Sequence, residues 1–94
     1  MKTILIFLLL STLSLASPNI YNTKYVTQIN NTLYDKRTKE PIDGVIEAYF
    51  PSGKLQETIP CKKGIPNGVA VEYYESGEVK AKIHYKNGIE VLNE

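Results

Sequence analysis

Apolar and polar positions alternate in short runs along the second half of the chain. Residues 79–85, Val-Lys-Ala-Lys-Ile-His-Tyr, alternate strictly, the period of a half-buried β-strand. Residues 69–74, Val-Ala-Val-Glu-Tyr-Tyr, are rich in β-branched and aromatic strand formers. Ser76-Gly77 between them predicts a two-residue turn. Asn87-Gly88 then closes the unit with a strong hairpin signal. The same order occurs earlier, as Val45–Phe50, Ser52-Gly53, Leu55–Cys61, then Gly64 and Pro66-Asn67-Gly68. No segment after residue 18 has a helical period. Pro41, Pro51, Pro60 and Pro66 fall at or near strand ends, where a missing amide donor costs least.

The two stretches are a tandem repeat. The six glycines pair at an offset of 24 residues: Gly44 with Gly68, Gly53 with Gly77, Gly64 with Gly88. Nine of the 22 positions from 44 to 65 are identical to their counterparts at that offset. A fixed period of this length signals stacked supersecondary units. The pattern predicts an all-β chain: a short antiparallel sheet of β-hairpin repeats, winding as an open solenoid. Residues 44–67 form the first hairpin unit and 68–91 the second. Residues 17–43 are an N-terminal cap or a degenerate repeat, with strands at Tyr25–Ile29 and Thr32–Tyr34, and 92–94 are a tail. All six glycines are assigned to structural turns.

A two-residue turn at Ser76-Gly77 sets Tyr74 opposite Val79, and opposed residues share a face. One face then carries Ile46, Ala48, Phe50, Leu55, Ile59 and Cys61 from the first unit. From the second it carries Ala70, Tyr74, Val79, Ala81, Ile83 and Tyr85. This is the expected core side, interrupted by Glu57 and Glu72. The other face carries Val45, Tyr49, Gln56 and Thr58, then Val69, Val71, Tyr73, Lys80, Lys82 and His84.

The first residues change where this sheet is expected to work. Met1-Lys2 is followed by the apolar run Ile4–Leu10 and by Leu13–Ala16, with Ser14-Leu15-Ala16 fitting the small-x-small rule for leader cleavage. Residues 1–16 are therefore expected to be a signal peptide cleaved after Ala16, which makes the protein exported, periplasmic or secreted. An uncleaved anchor is the alternative, although the run is shorter than the ~20 residues of a membrane span. Without Lys2 the chain has 10 basic and 10 acidic side chains. Such a neutral surface offers no long-range attraction to phosphates, so no nucleic-acid partner is expected. The single cysteine allows no internal disulfide.

The string Glu72-Tyr73-Tyr74-Glu75-Ser76-Gly77-Glu78-Val79-Lys80, with Lys-x-Gly-Ile and Asn-Gly after it, resembles the variant MORN repeats of bacteria. The likeness extends over residues 33–90. It implies a repeat scaffold. For relatives grouped as toxin–antitoxin antitoxins it also implies neutralising a toxin by direct binding. Other members are exported proteins without an assigned role.

Candidate chemistry is sparse. His84 is the only histidine, and no partner to orient it as a base can be named. Cys61 takes the core-side slot that Tyr85 fills in the next unit, which suits a buried, unreactive thiol. The two cannot build a zinc site, which takes three or four ligands. No catalytic residue, metal or cofactor is expected. Lys80, Lys82 and Lys86, like Lys62-Lys63, suit sheet edges guarded against aggregation. Seven tyrosines without a tryptophan point to contact surfaces, since tyrosine offers area at low entropic cost. Tyr49, Tyr73, Lys80, Lys82 and His84 are the candidate partner-binding residues. The leading expectation is an exported, non-catalytic protein-binding module. A toxin-neutralising protein and a module touching envelope lipid or glycan are the alternatives. An edge-to-edge homodimer is a further option.

Overall fold

The computed structural model describes residues 19–92. The expected signal peptide and residues 93–94 of the tail lie outside them. The elements run β1 (Asn19–Asn22), a 3-10 turn (Thr23–Tyr25), β2 (Val26–Ile29), β3 (Thr32–Asp35), β4 (Gly44–Tyr49) and β5 (Leu55–Lys62). They continue through β6 (Ile65–Pro66), β7 (Gly68–Tyr73), β8 (Val79–Lys86) and β9 (Ile89–Val91). Seven strands form one open sheet in the order β9-β8-β7-β5-β4-β1, with β6 paired to one end of β5. β2 and β3 make a separate hairpin. Among the described residues there is no α-helix.

The all-β expectation holds, with one correction. The sheet is mixed rather than antiparallel, because β1 lies parallel to β4, with Ile20 beside Val45 and Tyr21 beside Ile46. Parallel neighbours need a crossover. The 3-10 turn and the β2–β3 hairpin supply it. Asn22 starts that turn, its side-chain oxygen accepting the Lys24 amide at 3.0 Å. The loop after β3 is held by Asp35, which is buried. Its carboxylate accepts the Arg37 backbone amide at 2.8 Å. That bond, ahead of the nearby guanidinium, holds the Asp35 carboxyl below its ordinary range against the opposing pull of burial.

Both hairpin turns differ from the expected two-residue form. Gly77 N–H donates to the Tyr74 carbonyl and Tyr74 N–H to the Glu78 carbonyl, both at 2.9 Å. The loop is therefore three residues, Glu75-Ser76-Gly77, ending in a left-handed glycine. The first unit does the same over Pro51-Ser52-Gly53, with Phe50 N–H bonded to the Lys54 carbonyl at 2.8 Å. Proline at the second position of such a turn is pre-set for its φ. A bulge compensates in each hairpin. Tyr73 pairs with Val79 but Glu72 with Ala81, leaving Lys80 extra. Tyr49 pairs with Leu55 but Ala48 with Glu57, leaving Gln56 extra. Beyond the bulge the register equals the one a two-residue turn gives, so the expected faces hold through each hairpin body. At the turn end they do not. Leu55 and Val79 oppose Tyr49 and Tyr73, and so move to the outer face.

The core lies under the first unit. Ile42, Ile46 and Cys61 are buried, with Tyr21, Val26, Leu33 and Ile59 packed against them. The β2–β3 hairpin covers this face, tied on by Leu33 N–H to the Gly64 carbonyl at 2.8 Å and Ile42 N–H to the Leu33 carbonyl at 3.0 Å. The repeat shows in the hydrogen bonds too. Gly64 N–H donates to the Ile42 carbonyl at 2.7 Å and Gly88 N–H to the Pro66 carbonyl at 2.8 Å. Of the six assigned turn glycines, Gly53, Gly77, Gly64 and Gly88 sit in turns, whereas Gly44 and Gly68 open β4 and β7. At Gly44 a side chain would strike the carbonyl of Asn19. The glycine is what lets β1 approach.

Gly64 and Gly88 occupy the same position of equivalent turns, at φ +81° and +85°. A Cβ on Gly64 would meet Thr32 and the Leu33 carbonyl, at 2.9 Å from the latter. On Gly88 it would meet only the γ2 methyl of Ile65, at 2.8 Å. Gly88→Ala should cost at least about 1–2 kcal/mol, the penalty of left-handed backbone, with one methyl contact to relieve besides. Gly64→Ala should cost distinctly more in urea unfolding, because the β2–β3 hairpin must also shift. Equal losses would mean that the hairpin does not press on Gly64.

Candidate functional site

Two surfaces of the sheet collect the chemistry-bearing side chains. The first is the open end of the core face. Cross-strand pairing lines up Ala48, Glu57, Glu72 and Ala81 on β4, β5, β7 and β8. Two carboxylates thus sit directly opposite each other, an arrangement that destabilises a sheet. They line a shallow cleft of about 310 Å³, walled by Phe50 and Tyr74 and bordered by the bulge residues Gln56 and Lys80. Burial first, and then the Glu72 carboxylate, push the Glu57 carboxyl above its ordinary range. The cleft is lined by no histidine, serine or cysteine. It can hold a cationic or polar group between its carboxylates.

The second surface is the outer face. One row crosses the sheet as Glu47, Thr58, Val71 and Lys82. Nearer the turns lie the pairs Tyr49–Leu55 and Tyr73–Val79, and toward the other end Val45–Pro60 and Val69–His84. None of these twelve residues is fully buried. Tyr49, Val69 and Val79 are 43%, 41% and 49% exposed. The Tyr49 hydroxyl donates to the Glu47 carboxylate, which fixes both side chains on this face. The same hydrogen bond is the main cause raising the Tyr49 pKa.

The structure therefore brings Tyr49, Tyr73, Lys82 and His84 to one face. Lys80 departs from their rows, because it is the unpaired residue of the bulge, and it lines the acidic cleft, as Tyr73 also does. Leu55 and Val79 join the face, and Ile20, opposite Val45, extends it at the β1 edge. Pro51 and the third-position glycines were the sequence signal for the longer turn, and hence for Leu55 and Val79. Nothing local in the sequence announced Ile20, which arrives through the crossover. Cys61 is buried, as its core-side slot implied. No group of three or more metal-ligating side chains occurs among the described residues.

Comparison with known proteins gives one match. Residues 42–63 and 66–87 match the MORN repeat variant family. No curated protein and no solved structure matches the chain. Residues 42–63 and 66–87 are thus each similar to a MORN repeat variant, and the MORN repeat family is generally non-catalytic. The match lends no support to a toxin–antitoxin label.

Two outcomes follow from the buried groups. The raised Glu57 pKa means that folding favours its protonated form. The corresponding stability is present at acid pH and is lost as pH rises through the folded-state pKa. Glu57→Gln should therefore stabilise the protein at neutral pH, by about 0.5–1 kcal/mol. It should change little near about pH 3, where the Glu57 carboxyl is itself protonated. Urea midpoints at the two pH values check this, and an equal effect at both would remove the charge explanation. Burial pushes the Cys61 thiol up to about 11. Thiol reagents at neutral pH should label it only when urea opens the fold; rapid labelling of the native protein would show that the core is not closed.

Proposed function

We propose that this chain is an exported, non-catalytic module that binds a partner protein through the outer face of its sheet. One observation carries the reading. The core face is covered over the first unit by the β2–β3 hairpin, whereas the outer face, which also carries apolar side chains, is covered by nothing among the described residues. An apolar face rimmed by charge and bearing tyrosines is the composition of a protein-contact surface. The similarity of residues 42–63 and 66–87 to a repeat family that is generally non-catalytic agrees with a scaffold role. Export is supported by the sequence of residues 1–16. No observation favours toxin neutralisation or contact with lipid or glycan over this reading.

Photo-crosslinking in the native compartment tests it. A benzophenone side chain at Val69 or Tyr73 should give a defined protein adduct. The same probe at Ile29, which is 56% exposed on the β2–β3 hairpin, should give none. Adducts at Ile29 with none at Val69 or Tyr73 would refute the outer face as the contact surface.

A further inference from the structure

We infer that the partner on the outer face is a second copy of this chain. The two sheets pack face to face about a two-fold axis running along the strands between β5 and β7. Glu47 of each copy then lies against Lys82 of the other. This rests on the outer-face reading above and names its partner.

The central row selects the geometry. It reads acid, neutral, apolar, base: Glu47, Thr58, Val71, Lys82. Its two charged ends stand three strands apart, about 14 Å, too far to pair within one copy. Among the described residues the one ion pair lies elsewhere, between Arg37 and Asp35. Any two-fold axis gives an isologous interface, and one along the strands exchanges the two ends of every row. Glu47 then meets Lys82 of the second copy twice, across the ~10 Å spacing of stacked sheets. Thr58 meets Val71.

The neighbouring rows agree. Tyr49 comes over Val79 and Leu55 over Tyr73, so each ring meets an aliphatic side chain. Val45 comes over His84 and Pro60 over Val69. No two like charges meet. The alternative axis, across the strands through the central row, sets Glu47 against Glu47 and Lys82 against Lys82, which repel. The sheet's edges are the short strands β1 and β9. Two antiparallel β9 edges centred on Glu90 would oppose carboxylate to carboxylate. The Tyr49 hydroxyl bonded to Glu47 holds the carboxylate on this face before association. Four strands by about five residues give a footprint of about 300 Å², small beside standard interfaces. The dimer is accordingly weak and concentration-dependent.

Sedimentation equilibrium of the purified protein from about 0.02 to 1 mM covers that range. The wild type should dimerise reversibly. Glu47→Lys and Lys82→Glu should each weaken the dimer at least about tenfold. An equimolar mixture of the two variants should dimerise again, because each then supplies the charge that the other lacks. Recovery in the mixture also shows that both variants are folded. A wild-type dimer indifferent to both substitutions, or no recovery on mixing, would overturn this geometry. A wild type monomeric throughout would overturn the second-copy partner. If Val69 and Tyr73 still crosslink another protein in that case, the outer-face reading survives; if they crosslink nothing, it falls as well.

Discussion

Two residue pairs, Glu57 with Glu72 and Thr58 with Val71, join the two hairpins into one sheet. A lone two-stranded hairpin is marginal in water, and neither unit has enough apolar surface to stand alone. Pairing β5 on both edges aligns Ala48, Glu57, Glu72 and Ala81 on one face and Glu47, Thr58, Val71 and Lys82 on the other. The buried face, the acidic cleft and the outer row are all consequences of that junction. Half of the junction is a like-charge pair, so the sheet carries a local cost where its repeats meet. Gln56 and Lys80 border that pair, which leaves it polar and open at the sheet end rather than sealed in the core.

The two faces differ because only one has a cover. The repeat puts apolar side chains on both faces of each unit, so it does not by itself distinguish inside from outside. The distinction comes from residues before it. β1 adds to the β4 edge, and the β2–β3 hairpin folds over Ile42, Ile46 and Cys61. Ala70, the equivalent of Ile46, is also buried. Among the described residues the outer face has no such lid, and its apolar rows stay open.

Much of this was legible in the chain before its fold was known. Glycines at a constant offset and the strict alternation of residues 79–85 marked the repeat, the strands and the faces through each hairpin body. The misreadings were local. Ser-Gly suggested a two-residue turn, yet Pro51 and the glycine at the third position fit a three-residue loop. The loop was masked because the bulges at Gln56 and Lys80 restore the same register. The parallel β1 was not legible, since its pairing is set by a crossover through residues 23–43 and not by any pattern within Asn19–Asn22. Gly44 and Gly68 read as turn glycines because glycine has two uses. At Gly44 the need is room for a neighbouring backbone.

The central claim is that the repeats form one continuous sheet through the β5–β7 junction. Backbone NOEs between Glu57-Thr58 and Val71-Glu72, in the protein at low concentration, test it most directly. The account predicts cross-strand contacts between these segments as strong as those within the Gly68–Lys86 hairpin. Two sets of hairpin contacts with none between them would show independent units, and both faces described here would lose their basis.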